Sequence, residues 1–320
     1  MDLIGRLLVA LILLLSVSHS WAFKKDQVYK MTLLHTNDHH GRFWKNRHGE
    51  YGLAARKSLI DSIRNEVKAQ GGTVLLLSGG DINTGVPESD MLNAEPDFKG
   101  MKLIGYDAMA IGNHEFDNSL SVIRQQQEWA QFPFLAANIF YQNSKERPFL
   151  PYIIKTVHED LKIAIVGFTT EDTTNVANPR NTKNIDIRSP VEVGKNLIPN
   201  LKQASDMIIA VTHMGHYPNG NHGSEALGDV TLARQVKGIN IIVGGHTQKP
   251  LFSPDVQNGT YILQAHEWGK YVGRMDFEFK NGEIKLLSYK LGAVELSRPR
   301  IIISTIYRHR PMTAFLQSFS

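Results

Sequence analysis

The sequence predicts an α/β fold, on three observations. Apolar runs of strand length recur along the chain, stretches with helical period lie between several of them, and polar clusters stand where the runs end. The runs cover residues 31–34, 74–77, 108–111, 163–168, 207–211, 239–243 and 261–263. After the first, residues 53–69 place Leu53, Ala54, Leu59, Ile60, Ile63 and Val67 on one helical face and stop before Gly71-Gly72, a C-terminal capping signal. After the third, Ser119 opens a helix that runs towards Trp129. Near the end, residues 277–285 centre on Asn281-Gly282 and read as a β-hairpin. There is no internal repeat, so one α/β domain closing on an antiparallel edge is expected. Met91 and Met101 are assigned to its core.

Composition narrows the chemistry. The 320 residues are 42% hydrophobic and 21% charged, as in globular proteins. With zero cysteines, a metal must be held by nitrogen and oxygen donors, and no thiol nucleophile or disulfide is available. The formal charge of +4 resides in Arg298, Arg300, Arg308 and Arg310, so residues 1–297 sum to zero. A body without cationic excess does not fit nucleic-acid binding. Arg6 followed by an apolar run at 7–17 and small residues before Ala22 reads as a secretory signal at 1–22, too short to span a bilayer. Export, with no stable membrane insertion after cleavage, is the expectation; a retained signal anchor is the alternative.

Five apolar runs end in polar blocks. The first leads into His35-Thr36-Asn37-Asp38-His39-His40-Gly41, where strand alternation puts Asp38 and His40 on one side and His39 on the other. The second exits at Ser78-Gly79-Gly80-Asp81 and the third at Gly112-Asn113-His114-Glu115-Phe116-Asp117. Thr212-His213-Met214-Gly215-His216 and Gly244-Gly245-His246-Thr247-Gln248 follow later runs. A solvated loop explains any one block, but five on one edge of one sheet do not arise easily from surface composition.

In this order and wording the blocks resemble the calcineurin-like metallophosphoesterases, and within them the bacterial periplasmic 5'-nucleotidase/UDP-sugar hydrolase branch. Leu76 to Gly85 and Gln264 to Gly273 are similar to that branch almost letter for letter, and the likeness covers roughly residues 28–292. It implies a four-layer sandwich with two β-sheets between helices. It also implies two divalent metal ions (Zn, Mn, Co or Mg), one held by Asp38, His40, Asp81 and Gln248 and the other by Asp81, Asn113, His213 and His246. Such a pair would clamp a phosphoryl group and acidify a water between them. His114 would donate to the phosphoryl oxygen, oriented by Asp117.

Substrates implied are nucleotides, nucleotide sugars or other phosphate esters and anhydrides. Gln248 stands where many phosphoesterases have a histidine, and a neutral amide oxygen is a weaker donor. His35 reads as a strand residue in the core or supporting a ligand, His266 as core or as support for a ligand, and His216 and His222 as loop residues near the mouth. The domain reading is signal 1–22, catalytic domain 23–296 and a tail at 297–320 unlike the family, with the character of a shifted reading frame. Because the family's nucleoside-binding C-terminal domain is not matched, a separately encoded domain is a candidate partner. A truncated remnant that binds metal with little nucleotidase activity is the alternative function.

Overall fold

Each of the seven apolar runs contains or overlaps a strand in the computed structural model, which describes residues 24–47, 52–218 and 227–294. The signal reading at 1–22, the tail at 297–320 and His222 lie outside the described residues. One six-stranded sheet contains β1 (Tyr29–Thr36), β2 (Thr73–Ser78), β3 (Ala108–Ala110) and β4 (Phe134–Leu135), all parallel. A short pair, β5 (Ile139–Tyr141) and β8 (Ile185–Ile187), stands apart. The second six-stranded sheet has a parallel centre of β7 (Leu161–Thr169), β9 (Met207–His213), β10 (Ile241–Val243) and β12 (Thr260–Leu263). Its antiparallel edges are β6 (Tyr152–Val157) and β11 (Asp255–Gln257). The hairpin of β13 (Tyr271–Lys280) and β14 (Glu283–Ala293) adds to the first sheet beside β1, and its turn residues Asn281 and Gly282 have φ of 53° and 87°. Both central positions of such a turn need positive φ, which is why Asn-Gly marks it.

Strand alternation divides the interior into three apolar layers. Leu34, Leu76 and Met109 face outwards against helices α1 (Leu53–Ala69), α2 (Glu95–Ile104) and α3 (Leu120–Ala130), where Ile60, Phe98 and Ile123 are buried. Their strand neighbours Leu33, Leu75 and Leu77 face the other way, onto Ile163, Ile165, Ile209 and Val211 of the second sheet. Beyond that sheet, Val166, Ile208 and Ile242 pack on Ile198 and Leu201 of α4 (Pro190–Ala204) and on Val230 and Leu232 of α5 (Asp229–Gln235). Helix, sheet, sheet, helix is the four-layer sandwich the resemblance implied.

Some expectations are corrected. The polar blocks do not share one sheet: three leave the first sheet and two leave the second, at the same end of the sandwich. On α1 the buried face carries Ala55 and Arg56, while Ala54 is exposed, and the buried Arg56 side chain reaches His39. Met101 is core, but Met91 is 82% exposed at the end of a single helical turn that presents only Ser89 to the interior.

Where the sheets converge, β7 runs against β4: Ala137 N–H donates to Gly167 O (2.7 Å) and Gly167 N–H to Pro151 O (3.1 Å). A Cβ on Gly167 would collide with the Leu135 backbone. Overpacking of this kind costs about 1–3 kcal/mol. Gly167→Ala is therefore expected to lower the thermal midpoint by roughly 3–10 °C, measured by circular dichroism.

Candidate active site

The first sheet delivers Asp38, His40, Asp81 and Asn113 from the exits of β1, β2 and β3; the second delivers His213 from the end of β9 and His246 and Gln248 from the exit of β10. Backbone bonds lock the exits together: Asp38 N–H donates to Gly80 O (2.9 Å), His40 N–H to Asp81 O (3.1 Å) and Gly79 N–H to Thr36 O (2.9 Å). Across the sheets, the Asp38 carboxylate accepts from His246 N–H (3.0 and 3.2 Å).

The local backbone is unusual. Asp38, His40, Asp81, His246 and Gln248 all have left-handed φ, between 50° and 79°. Non-glycine residues there carry strain of about 1 kcal/mol or more each, which persists only where the surroundings over-determine it. Asp38 and His40 do share a side, with His39 opposite, but two left-handed residues after the end of β1 produce this rather than strand alternation. Gly112 is required by contact: a Cβ there would run into Asp81 Oδ1.

Seven side chains converge. His213 Nε2 lies 3.0 Å from Asp81 Oδ2 and 3.1 Å from Asn113 Oδ1, and His246 Nδ1 lies 2.9 Å from Asn113 Oδ1 and 3.3 Å from His213 Nε2. On the other side of Asp81, His40 Nε2 lies 3.8 Å from both Asp38 Oδ1 and Asp81 Oδ2, with the Gln248 amide nitrogen 2.8 Å away. Donor atoms of Asp38, Asp81 and His213 fall within 4.8 Å of one another, as do those of His40, Asp81 and His114. Asp81 is common to both groups.

Tautomers follow from the outer nitrogens. A backbone carbonyl can only accept, so His213 Nδ1–H donates to Gly79 O (2.7 Å) and His40 Nδ1–H to Thr84 O (2.9 Å). When neutral, His213 turns its Nε2 lone pair towards the Asp81 and Asn113 oxygens, whereas His40 Nε2 accepts from the Gln248 amide nitrogen with the Asp38 and Asp81 carboxylates nearby. Carboxylates beside a ring nitrogen favour a positive charge on it, which raises the affinity of both rings for a proton. Burial opposes protonation of His213, yet the charge and hydrogen bond of Asp81, with Asp38 behind, push it up to about 10. Burial likewise opposes protonation of His40, and the nearby Asp38 and Asp81 carboxylates raise it to about 9. Burial would raise the Asp81 carboxyl, but His213, His40 and His114 hold it well below the usual carboxylate range. A donor set that collects protons in this way fits divalent cations, which would take the same lone pairs.

His114 is set apart from this group. It is 39% exposed, its Nδ1–H donates to Asp117 Oδ2 (2.7 Å), and its ring meets His40 edge-on at 4.9 Å, so Nε2 is the atom left for a ligand. The Asp117 hydrogen bond raises its pKa, with burial opposing. Thr84 Oγ1 donates to the same Asp117 oxygen (2.6 Å). The other histidines serve elsewhere. His39 is buried between Arg56 (3.0 Å) and Asp97 (2.8 Å), and burial with the Arg56 charge lowers it to about 4. His35 is buried and stacks on Tyr289. His216 pairs with Asp255 (2.8 Å), and His266 Nδ1–H donates to Gln248 O (2.6 Å).

Sequence reasoning assigned no role to three residues that hold the site together. Asn37 donates to Asp38 Oδ2 (2.6 Å) and His266 O (2.6 Å) and accepts from Ala265 N–H (2.7 Å). Thr84 touches both His40 and Asp117. Glu115, 0% exposed, accepts from the backbone N–H groups of Gly112 (2.7 Å), Asp81 (3.1 Å), Ile82 (2.8 Å) and Asn83 (3.3 Å). The only signal in the sequence was its place beside Asn113 and His114, since its partners lie on another strand exit. Removing it orphans several buried donors, each costing about 1–3 kcal/mol. Glu115→Ala is expected to destabilise the metal-free protein by at least about 3 kcal/mol in urea unfolding, and Glu115→Gln by less, since one amide oxygen still accepts.

Comparison with known proteins places this geometry. The model of the calcineurin-like phosphoesterase family matches residues 31–250. The chain is 55% identical over 305 residues to Silent protein UshA(0) of Salmonella typhimurium, covering 89% of this chain and 55% of that protein. It is 56% identical over 297 residues to a 5'-nucleotidase of Vibrio cholerae, covering 86% of this chain and 54% of the relative. It therefore spans about half the length of these relatives. Among solved structures, the 5'-nucleotidase precursor from Thermus thermophilus superposes with a TM-score of 0.68 at 27% identity, covering 83% of this chain and 54% of the other. A match over residues 31–250, with the strand exits converging as described, makes the chain a member of the calcineurin-like phosphoesterase family.

Proposed function

We propose that this chain is an exported, dinuclear metal-dependent phosphohydrolase of the 5'-nucleotidase/UDP-sugar hydrolase type, acting on nucleotide phosphate esters or anhydrides. One observation carries the reading: the buried Asp81 carboxylate lies between a His213–Asn113–His246 group and a His40–Asp38–Gln248 group. In this reading Asp38, His40, Asp81 and Gln248 hold one divalent ion, and Asp81, Asn113, His213 and His246 the other. When bound, such a pair supplies positive charge to the phosphoryl group and a nucleophilic water near neutral pH. Zn, Mn, Co and Mg all suit the mixed nitrogen and oxygen set.

The chain's own residues do the rest. Gly79 O and Thr84 O hold His213 and His40 in the tautomer that aims Nε2 inwards. His114, its Nδ1–H committed to Asp117, offers an Nε2 proton to a phosphoryl oxygen at the open side of the site. Convergence of all seven donors and the intact His114–Asp117 pair favour an active enzyme over a remnant. Residues 23–296 form the catalytic domain in this reading. The chain matches about half the length of these relatives, and in this reading a separately encoded C-terminal domain is a candidate partner. Periplasmic export rests on residues 1–22; among the described residues, no helix is long and apolar enough to cross a membrane.

Hydrolysis of an aryl phosphate, AMP and UDP-glucose in added Mn or Co tests the reading, with chelated protein alongside. Chelation is expected to abolish turnover, and Asp81→Asn to abolish it and impair binding of both ions, because one carboxylate serves both groups. Full activity after exhaustive chelation would overturn it. His114→Asn is expected to retain metal, measured by mass spectrometry, while turnover falls by about 10² to 10⁴.

A further inference from the structure

Thr84 has a backbone that its side chain does not favour. Its φ is 38°, a region where a β-branched residue is an outlier and which persists only under constraint from its neighbours. Those neighbours are fixed on both sides. Asn83 is tied to Glu115 Oε1 through its backbone N–H and its side-chain amide, both at 3.3 Å, and a Cβ on Gly85 would stand 2.8 Å from His40 O. The strained conformation turns the two polar groups of one residue in different directions. The carbonyl accepts from His40 Nδ1–H (2.9 Å), while the hydroxyl donates to Asp117 Oδ2 (2.6 Å) and stands 3.1 Å from His114 Nδ1.

We propose that Thr84 is a positioning residue that ties the His114–Asp117 pair to the His40 side of the candidate metal site. The hydroxyl fixes the Asp117 oxygen that orients His114, and the carbonyl fixes the tautomer and rotation of His40. A shift at either end is passed through a single residue to the other, which keeps His114 Nε2 at a set distance from whatever the His40 group holds. Position matters because a misplacement of about 1 Å can cost 10²-fold in rate. The inference rests on the phosphohydrolase reading and adds to it the device that aligns proton donor and metal site.

Thr84→Val keeps the branched shape and removes the hydroxyl, and Thr84→Ser keeps the hydroxyl. Kinetics on an aryl phosphate in saturating Mn, metal content and thermal midpoint are measured for both and for the wild type. Thr84→Val is expected to keep its metal and KM within about twofold while kcat falls about 10- to 100-fold, and Thr84→Ser to recover most of the loss. Thr84→Ala replaces Thr84→Val should the latter not fold. Thr84→Gly, which frees the backbone, is expected to bind one Mn ion more weakly in competition with a chelating dye, a readout independent of turnover. Wild-type kcat in Thr84→Val, failure of Thr84→Ser to rescue, or unchanged Mn binding in Thr84→Gly would overturn the proposal. Absence of metal-dependent hydrolysis in the wild type itself would overturn the phosphohydrolase reading and this inference with it, whereas failure confined to the variants overturns this inference alone.

Discussion

A buried negative charge at the seam of two sheets governs the rest of the architecture. Asp81 is 2% exposed, and a carboxylate so far from water stays ionised only where positive charge is supplied nearby. That charge comes from both sheets, from His40 beside β1 and from His213 at the end of β9. Neither sheet alone encloses Asp81. The middle apolar layer, in which Leu33, Leu75 and Leu77 meet Ile165, Ile209 and Val211, sets how closely the two strand ends approach and hence whether the charges meet. Packing below and electrostatics above are one constraint, because strand ends that separate would leave an unanswered charge in the interior.

The strained turns follow from the same demand. Strand exits that simply continued outwards would carry Asp38, His40 and Asp81 away from the seam, so the chain doubles back through left-handed residues and stores the cost locally. Glu115 offsets that cost by gathering the N–H groups that such turns leave unpaired, and Asn37 does the same between Asp38 and the segment carrying Ala265 and His266. Two polar side chains with no place in the proposed chemistry thus hold the geometry on which it depends.

Much of this was legible in the sequence, for identifiable reasons. The strands were readable because they are buried on both faces and so appear as unbroken apolar runs, and α1 and the Asn281-Gly282 hairpin because their periodicity and turn chemistry are local. The candidate site residues were readable because each ends one of those runs. What could not be read is what depends on contact between distant segments. The division of the blocks between two sheets, the burial of Arg56 on α1, the exposure of Met91 and the cradle formed by Glu115 all arise from neighbours far away in sequence. Thr84 escaped notice for a sharper reason: nothing about a threonine in Asn83-Thr84-Gly85 reveals a φ of 38°.

In the proposed mechanism, exposure separates holding from reacting. Asp38, Asp81 and His213 are essentially excluded from water, which strengthens every electrostatic interaction among them and favours retention of a bound cation. His114 stands at their edge, 39% exposed, its charge sustained by Asp117. A proton donor buried like the donor set, but without the Asp81 and Asp38 charges that raise His213 and His40, would be disfavoured by desolvation, as His39 and His35 are. One fully in water would lose both its fixed orientation and the strength of its interaction with a phosphoryl oxygen. The intermediate position is what a group that must carry a proton and meet an incoming anion requires, and it follows from placing His114 on the single turn after β3, one residue beyond the buried Asn113.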